Sequence, residues 1–177
     1  DENGKVVDGD RLIALSALER LGSGTLVGGT VVVTVMTNLG FHRAMHAAGI
    51  DVVTMSVGDR SVLQEMESNG YVIGGEQSGH IIHRDLATTG DGLLAAIVLA
   101  RMVRRERAVS GRPFSAISSA VMKTVPQVLR AVPVTTRPND VEADLAESLG
   151  TARARLGERG RILVRMSGTE PVVRVMV

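Results

Sequence analysis

The 177-residue chain has no cysteine and no tryptophan. The first absence excludes disulfide scaffolds, thiolate zinc sites and cysteine nucleophiles. Aromatic residues amount to Phe41, Tyr71 and Phe114, too few for a platform on which bases stack, so no nucleic-acid partner is expected. An excess of one charge is also missing. With 20 basic and 19 acidic residues the net charge is +1, which excludes a global polyanion-binding surface but not local basic clusters. Long apolar runs are absent too: Leu93 to Ala100 ends at Arg101, against the ~20 residues of a membrane span. No membrane partner is expected. The opening, Asp1 to Gly9, is acidic and polar rather than basic then apolar, unlike an export signal, and a cytoplasmic location is expected. There is no initiating Met, and the last residue falls inside an apolar strand pattern, so a chain cut from a longer one is expected.

What is present suits a packed core: 44% hydrophobic residues and 20 glycines. Strand and helix patterns alternate over the first hundred residues. Leu12 to Leu21 has helical spacing and Gly22 follows as a stop; Thr30 to Met36 is almost all β-branched, as in a strand buried on both faces. Phe41 to Ala48 reads as a helix and Ile50 to Val57 as a strand. Asp59 is expected to cap a helix that Asn69-Gly70 closes. Tyr71 to Ile73 reads as a short strand leading into Gly74-Gly75. Asp91 to Arg107 is the longest helix, with Leu94, Ile97, Val98 and Met102 as its inner stripe. Such alternation predicts an α/β fold with a mixed, mostly parallel sheet and flanking helices over residues 1–108. Ser110-Gly111-Arg112-Pro113 marks a linker over 109–122. A small α+β C-terminal domain is expected over 123–177, and it is expected to be truncated at its end. Its strands are expected at Val128 to Val134, Arg161 to Arg165 and Val172 to Val177, with an Asp140-capped helix to Leu156.

Three polar, glycine-bearing segments each follow a strand, where open α/β sheets place ligand loops. In Val57-Gly58-Asp59-Arg60, Asp59 and Arg60 either form a helix start or line a cleft rim. In Gly74 to His80, Glu76 offers two acceptors, Gln77 an amide, Ser78 a hydroxyl and His80 a titratable ring. That density suits a polyhydroxyl ligand such as a sugar; an ordinary solvated turn is the other reading. In Arg165-Met166-Ser167-Gly168-Thr169-Glu170-Pro171, with Arg174 beyond, a cation, two hydroxyls and a glycine match what a phosphate needs. A plain hairpin is the alternative there. Glu170 would repel a phosphate, so it is expected to point away or to pair with Arg165 or Arg174. Weaker features are Asp8-Gly9-Asp10-Arg11, more often a turn before a helix than a metal loop, and the i, i+4 pair His42 and His46, which lacks a third ligand. Thr88-Thr89-Gly90-Asp91-Gly92 reads mainly as a helix start, and Arg101, Arg104, Arg105 and Arg107 as a solvated helix end.

Gly75-Glu76-Gln77-Ser78-Gly79-His80 and Arg165 to Pro171 resemble motifs of the α-D-phosphohexomutase superfamily. So do Val7 to Asp10, Thr34 to Gly40, Val57 to Arg60 and Thr88 to Gly92, in that family's order along essentially the whole chain. The resemblance is closest to the branch acting on glucosamine phosphates. It implies part of an enzyme that interconverts glucosamine 6-phosphate and glucosamine 1-phosphate for cell-wall amino-sugar nucleotide synthesis. Glucose or glucosamine 1,6-bisphosphate would be intermediate and activator. The family has four domains, a phosphoserine in the first and Mg²⁺ held by an Asp-Gly-Asp-x-Asp-Arg loop in the second. No Ser here has the Ser-His-Asn-Pro setting, and Asp8-Gly9-Asp10-Arg11 lacks the third Asp. Catalytic and metal residues are therefore expected outside this chain, which resembles the third domain and most of the fourth and is expected to be inactive alone.

By the same resemblance, Glu76, Gln77, Ser78 and His80 would hold the sugar, with Asp59 and Arg60 lining the cleft. Arg165, Ser167, Gly168, Thr169 and Arg174 would hold the phosphate that is not reacting. The expected partners are a hexosamine phosphate and the N-terminal domains, with a homodimer left open. Two alternatives stand beside this reading: a sister phosphoglucomutase or phosphomannomutase, and a non-catalytic sugar-phosphate-binding module.

Overall fold

The computed structural model describes residues 1–136 and 138–177, and the chain divides into two compact units, Asp1–Thr124 and Val125–Val177. In the first unit, helix α1 (Gly9–Gly22) precedes strand β1 (Thr30–Thr34), helix α2 (Leu39–Ala47), strand β2 (Asp51–Met55) and helix α3 (Asp59–Asn69). The hairpin β3 (Ile73–Gly75) and β4 (Ile81–His83) follows, then helices α4 (Gly92–Ser110) and α5 (Phe114–Ala120). The sheet runs β2-β1-β3-β4, parallel except for the antiparallel β3–β4 pair. All five residues of β1 are buried, as its β-branched composition demands of a central strand. Its side chains feed two cores. Val31 and Val33 pack with Ile13, Phe41 and Met45, whereas Val32 packs with Val62, Met66 and Ile82. Layers of helix on both faces of a mostly parallel sheet follow from that alternation.

Several expectations shift. The N-cap of α3 is Gly58, at φ 129°, and Asp59 is the first helical residue, its carboxylate accepting from the Arg60 amide at 2.8 Å. Gly74 and Gly75 lie inside β3 rather than after it. Ile97 is 60% exposed while Met102 is buried. At 100° per residue Ile97 falls well off the face shared by Leu94, Val98 and Met102, so the inner stripe of α4 excludes it. Residues expected as a linker are helical: α4 extends to Ser110, Gly111 ends it at φ 69°, and α5 begins after Pro113. The chain turns there without leaving the first unit, which closes at Thr124.

The second unit holds strand β5 (Leu129–Pro133), short helix α6 (Val141–Asp144), helix α7 (Ala146–Leu156) and strands β6 (Leu163–Met166) and β7 (Val172–Met176). Its sheet is antiparallel, ordered β5-β7-β6. Asp140 caps α6 as expected, through the amides of Glu142 and Ala143, but the helical stretch breaks at Leu145. Pro133 sits at the end of β5, an exposed strand at the sheet edge, where a missing N–H costs little. The core is small: Leu149, Val164 and Val173 are buried, with Met166 and Val175 packed on them.

Candidate functional site

The first site candidate is the tip of the β3–β4 hairpin. Its turn is closed by the Glu76 amide donating to the His80 carbonyl and the Gly79 amide donating to the Glu76 carbonyl, both at 3.0 Å. A Cβ on Gly75 would stand 2.3 Å from the His80 carbonyl oxygen, so this turn admits only glycine at its first stem position. Glu76 is held inward: its Oε1 accepts from the Gly58 amide at 3.0 Å. That bond joins the hairpin tip to the start of α3 and brings Asp59 and Arg60, both exposed, into the same neighbourhood. The second Glu76 oxygen lies 3.6 Å from His80 Nδ1, and the Ser78 hydroxyl is 3.4 Å from that same nitrogen. Ser78 and His80 are exposed. Gln77 is directed elsewhere, donating an Nε2 hydrogen to Asp10 Oδ2 at 3.2 Å.

Asp10 was no part of the sequence-based site. It is fully buried, and burial, reinforced by the nearby Asp8 charge, pushes its carboxyl up to about 6; the Asn38 amide, Thr37 hydroxyl and Gln77 amide act in the opposite direction. The only signal in sequence was the Asp8-Gly9-Asp10 turn, and nothing in it pointed to a partner 67 residues away. These carboxylates do not fit the magnesium that the resemblance implies. Asp8 caps α1 by accepting from the Arg11 amide at 3.0 Å, and one Asp10 oxygen already accepts from Asn38 and Gln77. Among the described residues no three His, Cys, Asp or Glu side chains converge as metal ligands, and no helix is long and apolar enough to cross a membrane.

The second candidate is the β6–β7 hairpin tip. Val164, Met166, Val173 and Val175 face the small core, so strand alternation sends Arg165 and Arg174 together to the other face, directly opposite one another. Glu170 pairs with Arg174 at 2.6 Å, while Arg165 Nη1 donates weakly to the Met166 carbonyl at 3.3 Å. The Nε of each arginine is buried without a hydrogen-bond partner. Burial, with the Arg174 charge second, lowers the proton affinity of the Arg165 guanidinium. Ser167 is buried and its Oγ accepts from the Glu170 amide at 3.3 Å, leaving its own hydrogen to donate. Exposed Gly168 and Thr169 help line a cavity of about 330 Å³. A larger cavity of about 450 Å³ in the first unit, between α1, α4 and α5, is mainly apolar and contains none of the sequence-predicted site residues.

A family model described as phosphoglucomutase/phosphomannomutase, alpha/beta/alpha domain III, matches residues 8–125. The model of the same family's C-terminal domain matches residues 121–177. A phosphoglucosamine mutase of Frankia casuarinae is 52% identical over 179 residues, covering 100% of this chain and 38% of that protein. Its counterpart in Moorella thermoacetica is 48% identical, covering 100% of this chain and 39% of that protein. Among solved structures, Aspergillus fumigatus N-acetylphosphoglucosamine mutase with GlcNAc-6P and magnesium is similar in fold. Its TM-score is 0.75 at 19% identity, over 98% of this chain and 41% of that one. A variant of that enzyme in complex with glucose 1,6-bisphosphate gives a TM-score of 0.74 at 20% identity, over 97% and 40%. The chain thus spans under half the length of the relatives it matches, and it belongs to the phosphoglucomutase/phosphomannomutase family, of which it carries the third and C-terminal domains.

Proposed function

We propose that the chain is the substrate-recognising part of a phosphoglucosamine mutase, which interconverts glucosamine 6-phosphate and glucosamine 1-phosphate through a bisphosphate intermediate. The observation that carries this reading is the Arg165–Arg174 pair. Two guanidiniums side by side repel, Glu170 pairs Arg174 alone, and each arginine leaves a buried N–H unsatisfied; a phosphate beside them supplies acceptors and the negative charge that Arg165 lacks. Ser167, Gly168 and Thr169 add hydroxyl and backbone donors around it. Glu76, Ser78 and His80 then serve the sugar: the Glu76 oxygen not bonded to Gly58 can accept from a hydroxyl or an ammonium. Asp59 and Arg60 lie beside them. Gln77 supports this cluster from behind, through Asp10.

Recognition of sugar and phosphate by separate groups suits the chemistry. Phosphoryl transfer is accelerated mainly by positioning and charge stabilisation, so binding energy at a phosphate that does not react orients the one that does. The reacting serine and the magnesium site belong, in this reading, to domains of the full-length protein outside these residues. The relatives named phosphoglucosamine mutase favour an amino sugar as substrate. In this reading the product feeds cell-wall amino-sugar nucleotide synthesis, and the protein works in the cytoplasm.

The test is the full-length enzyme assayed with glucosamine 6-phosphate, with glucose 6-phosphate as control. Arg165→Ala should lower kcat/KM about 100-fold, the loss of one or two charge-assisted hydrogen bonds to phosphate, with the fold intact. An unchanged kcat/KM in the folded variant removes Arg165 from the site; a wild type inert toward glucosamine 6-phosphate removes the reading itself.

A further inference from the structure

We propose that Gly9 and Asp10, at the start of α1, set the position of the Glu76–His80 turn, and that Asp10 is a positioning residue for substrate binding; this rests on the sugar-recognition reading above. The two residues grip the turn by different means. The Gly9 amide donates to the Gln77 carbonyl at 3.1 Å. A Cβ on Gly9 would stand 2.4 Å from the Glu76 carbonyl oxygen and 2.7 Å from that of Gln77, so the helix start and the turn are in backbone contact that only glycine allows. Asp10 grips the side chain. Its Oδ2 accepts from Gln77 Nε2 at 3.2 Å and from the Asn38 amide at 2.8 Å. One carboxylate oxygen thereby joins the hairpin tip to the start of α2, where Asn38 is itself the cap.

A merely structural Asp has a less costly place to be. An exposed carboxylate in the first turn of a helix gains from the helix dipole without desolvation. Asp10 is 0% exposed, so its charge is held against a burial penalty, and the groups it meets there are the turn and the β1–α2 connection. Gln77 and the neighbouring Glu76 are thus held from two sides: Asp10 behind Gln77, the Gly58 amide behind Glu76. Releasing the Asp10 tie leaves Glu76, Ser78 and His80 on a turn held through its backbone by Gly9 and its own hydrogen bonds, with Glu76 as the one side-chain anchor remaining.

The experiment uses the full-length protein and three variants: Asp10→Ala, Asp10→Asn and Gln77→Ala. It reads KM and kcat for glucosamine 6-phosphate, and amide hydrogen exchange across residues 76–80 and 13–20. Asp10→Ala is expected to raise KM about tenfold with a smaller change in kcat, the loss of one hydrogen bond to a charged group. It should also speed exchange at 76–80 while α1 keeps its protection. Asp10→Asn keeps an oxygen for both donors and should restore KM to within about twofold and exchange to the wild-type rate. Gln77→Ala, which removes the other half of the same bond, should reproduce the exchange change even where Asp10→Ala fails to fold. The proposal is overturned by a folded Asp10→Ala with unchanged KM and exchange, or by Asp10→Asn as impaired as Asp10→Ala. A wild type that does not convert glucosamine 6-phosphate defeats the sugar-recognition reading instead, and the exchange comparison still decides whether Asp10 positions the turn.

Discussion

The two hairpin tips of this chain are polar in opposite ways. At the β3–β4 tip the polar side chains already have protein partners: Glu76 on the Gly58 amide, Gln77 on Asp10, Ser78 beside His80. At the β6–β7 tip two like charges stand opposite each other with Glu170 pairing Arg174 alone, and each arginine keeps a buried donor unsatisfied. The difference matches the ligand chemistry proposed for each. Hydroxyls are weak, directional partners, so their site gains by being fixed beforehand. A phosphate carries enough charge to repay an electrostatically unfavourable site when it arrives. The cores differ in the same direction. Buried residues from α1, α2, α3, β1, β3 and β4 contribute to the first unit's cores, while the second rests on Leu149, Val164 and Val173.

The largest test of the pre-fixed tip concerns what its buried anchor costs. Asp10 in the fold has a carboxyl pushed up to about 6 from 3.8, so the folded state binds its proton more tightly than the unfolded chain. The contribution to stability is therefore complete below about pH 4 and lost as pH rises through about 6. Two units correspond to about 3 kcal/mol. Asp10→Asn does not titrate, so its stability relative to wild type should climb between pH 4 and 6 and level off above, by up to that amount. Urea unfolding of the full-length pair across pH 4 to 8 measures it. A difference independent of pH breaks the claim that this tip is anchored by a desolvated carboxylate. The groups facing Asp10 are Asp8, which adds to the upward shift, and Asn38, Thr37 and Gln77, which oppose it.

The same contrast separates what the sequence made legible from what it hid. The α/β pattern, the buried β-branched strand β1 and both polar tips follow from local composition. Periodicity and turn chemistry act over a few residues, and those residues were sufficient. Arg165 and Arg174 were legible as cations near a turn, but their facing each other required the β6–β7 register. Asp10 was legible only as part of a turn before a helix, because its meaning lies in Gln77 and Asn38, far along the chain. Ser110 to Pro113 shows the converse error. A glycine and a proline do turn the chain there, but turn chemistry cannot tell a corner within a unit from the passage between two.

The charged tip has its own test, of slightly smaller size. Inorganic phosphate bound between Arg165 and Arg174 should stabilise the second unit and leave the first nearly untouched. At 100 times its dissociation constant it contributes about 2.7 kcal/mol. Hydrogen exchange with and without phosphate should show slowing across β6 and β7, and none across β3 and β4. High salt should weaken the effect, since the arginine pair is only partly buried. Equal slowing in both units places the anion elsewhere or makes its action nonspecific.

The smallest expected effect divides the two tips most cleanly, because it changes one atom. Glu76→Gln retains an oxygen for the Gly58 amide but removes the charge from the oxygen that lies 3.6 Å from His80 Nδ1. The turn should stay in place, since its geometry depends on the retained bond. Sugar binding should weaken about tenfold, the difference between a charged and a neutral acceptor. Phosphate binding at the other tip should not change, because Arg165 and Arg174 belong to the second unit and Glu76 to the first. Titrating the variant with glucosamine 6-phosphate and with inorganic phosphate separates the two. Equal loss for both ligands means that Glu76 serves the fold rather than the sugar. Loss confined to the amino sugar, with glucose 6-phosphate binding unchanged, narrows its role to the ammonium, where a full negative charge matters most.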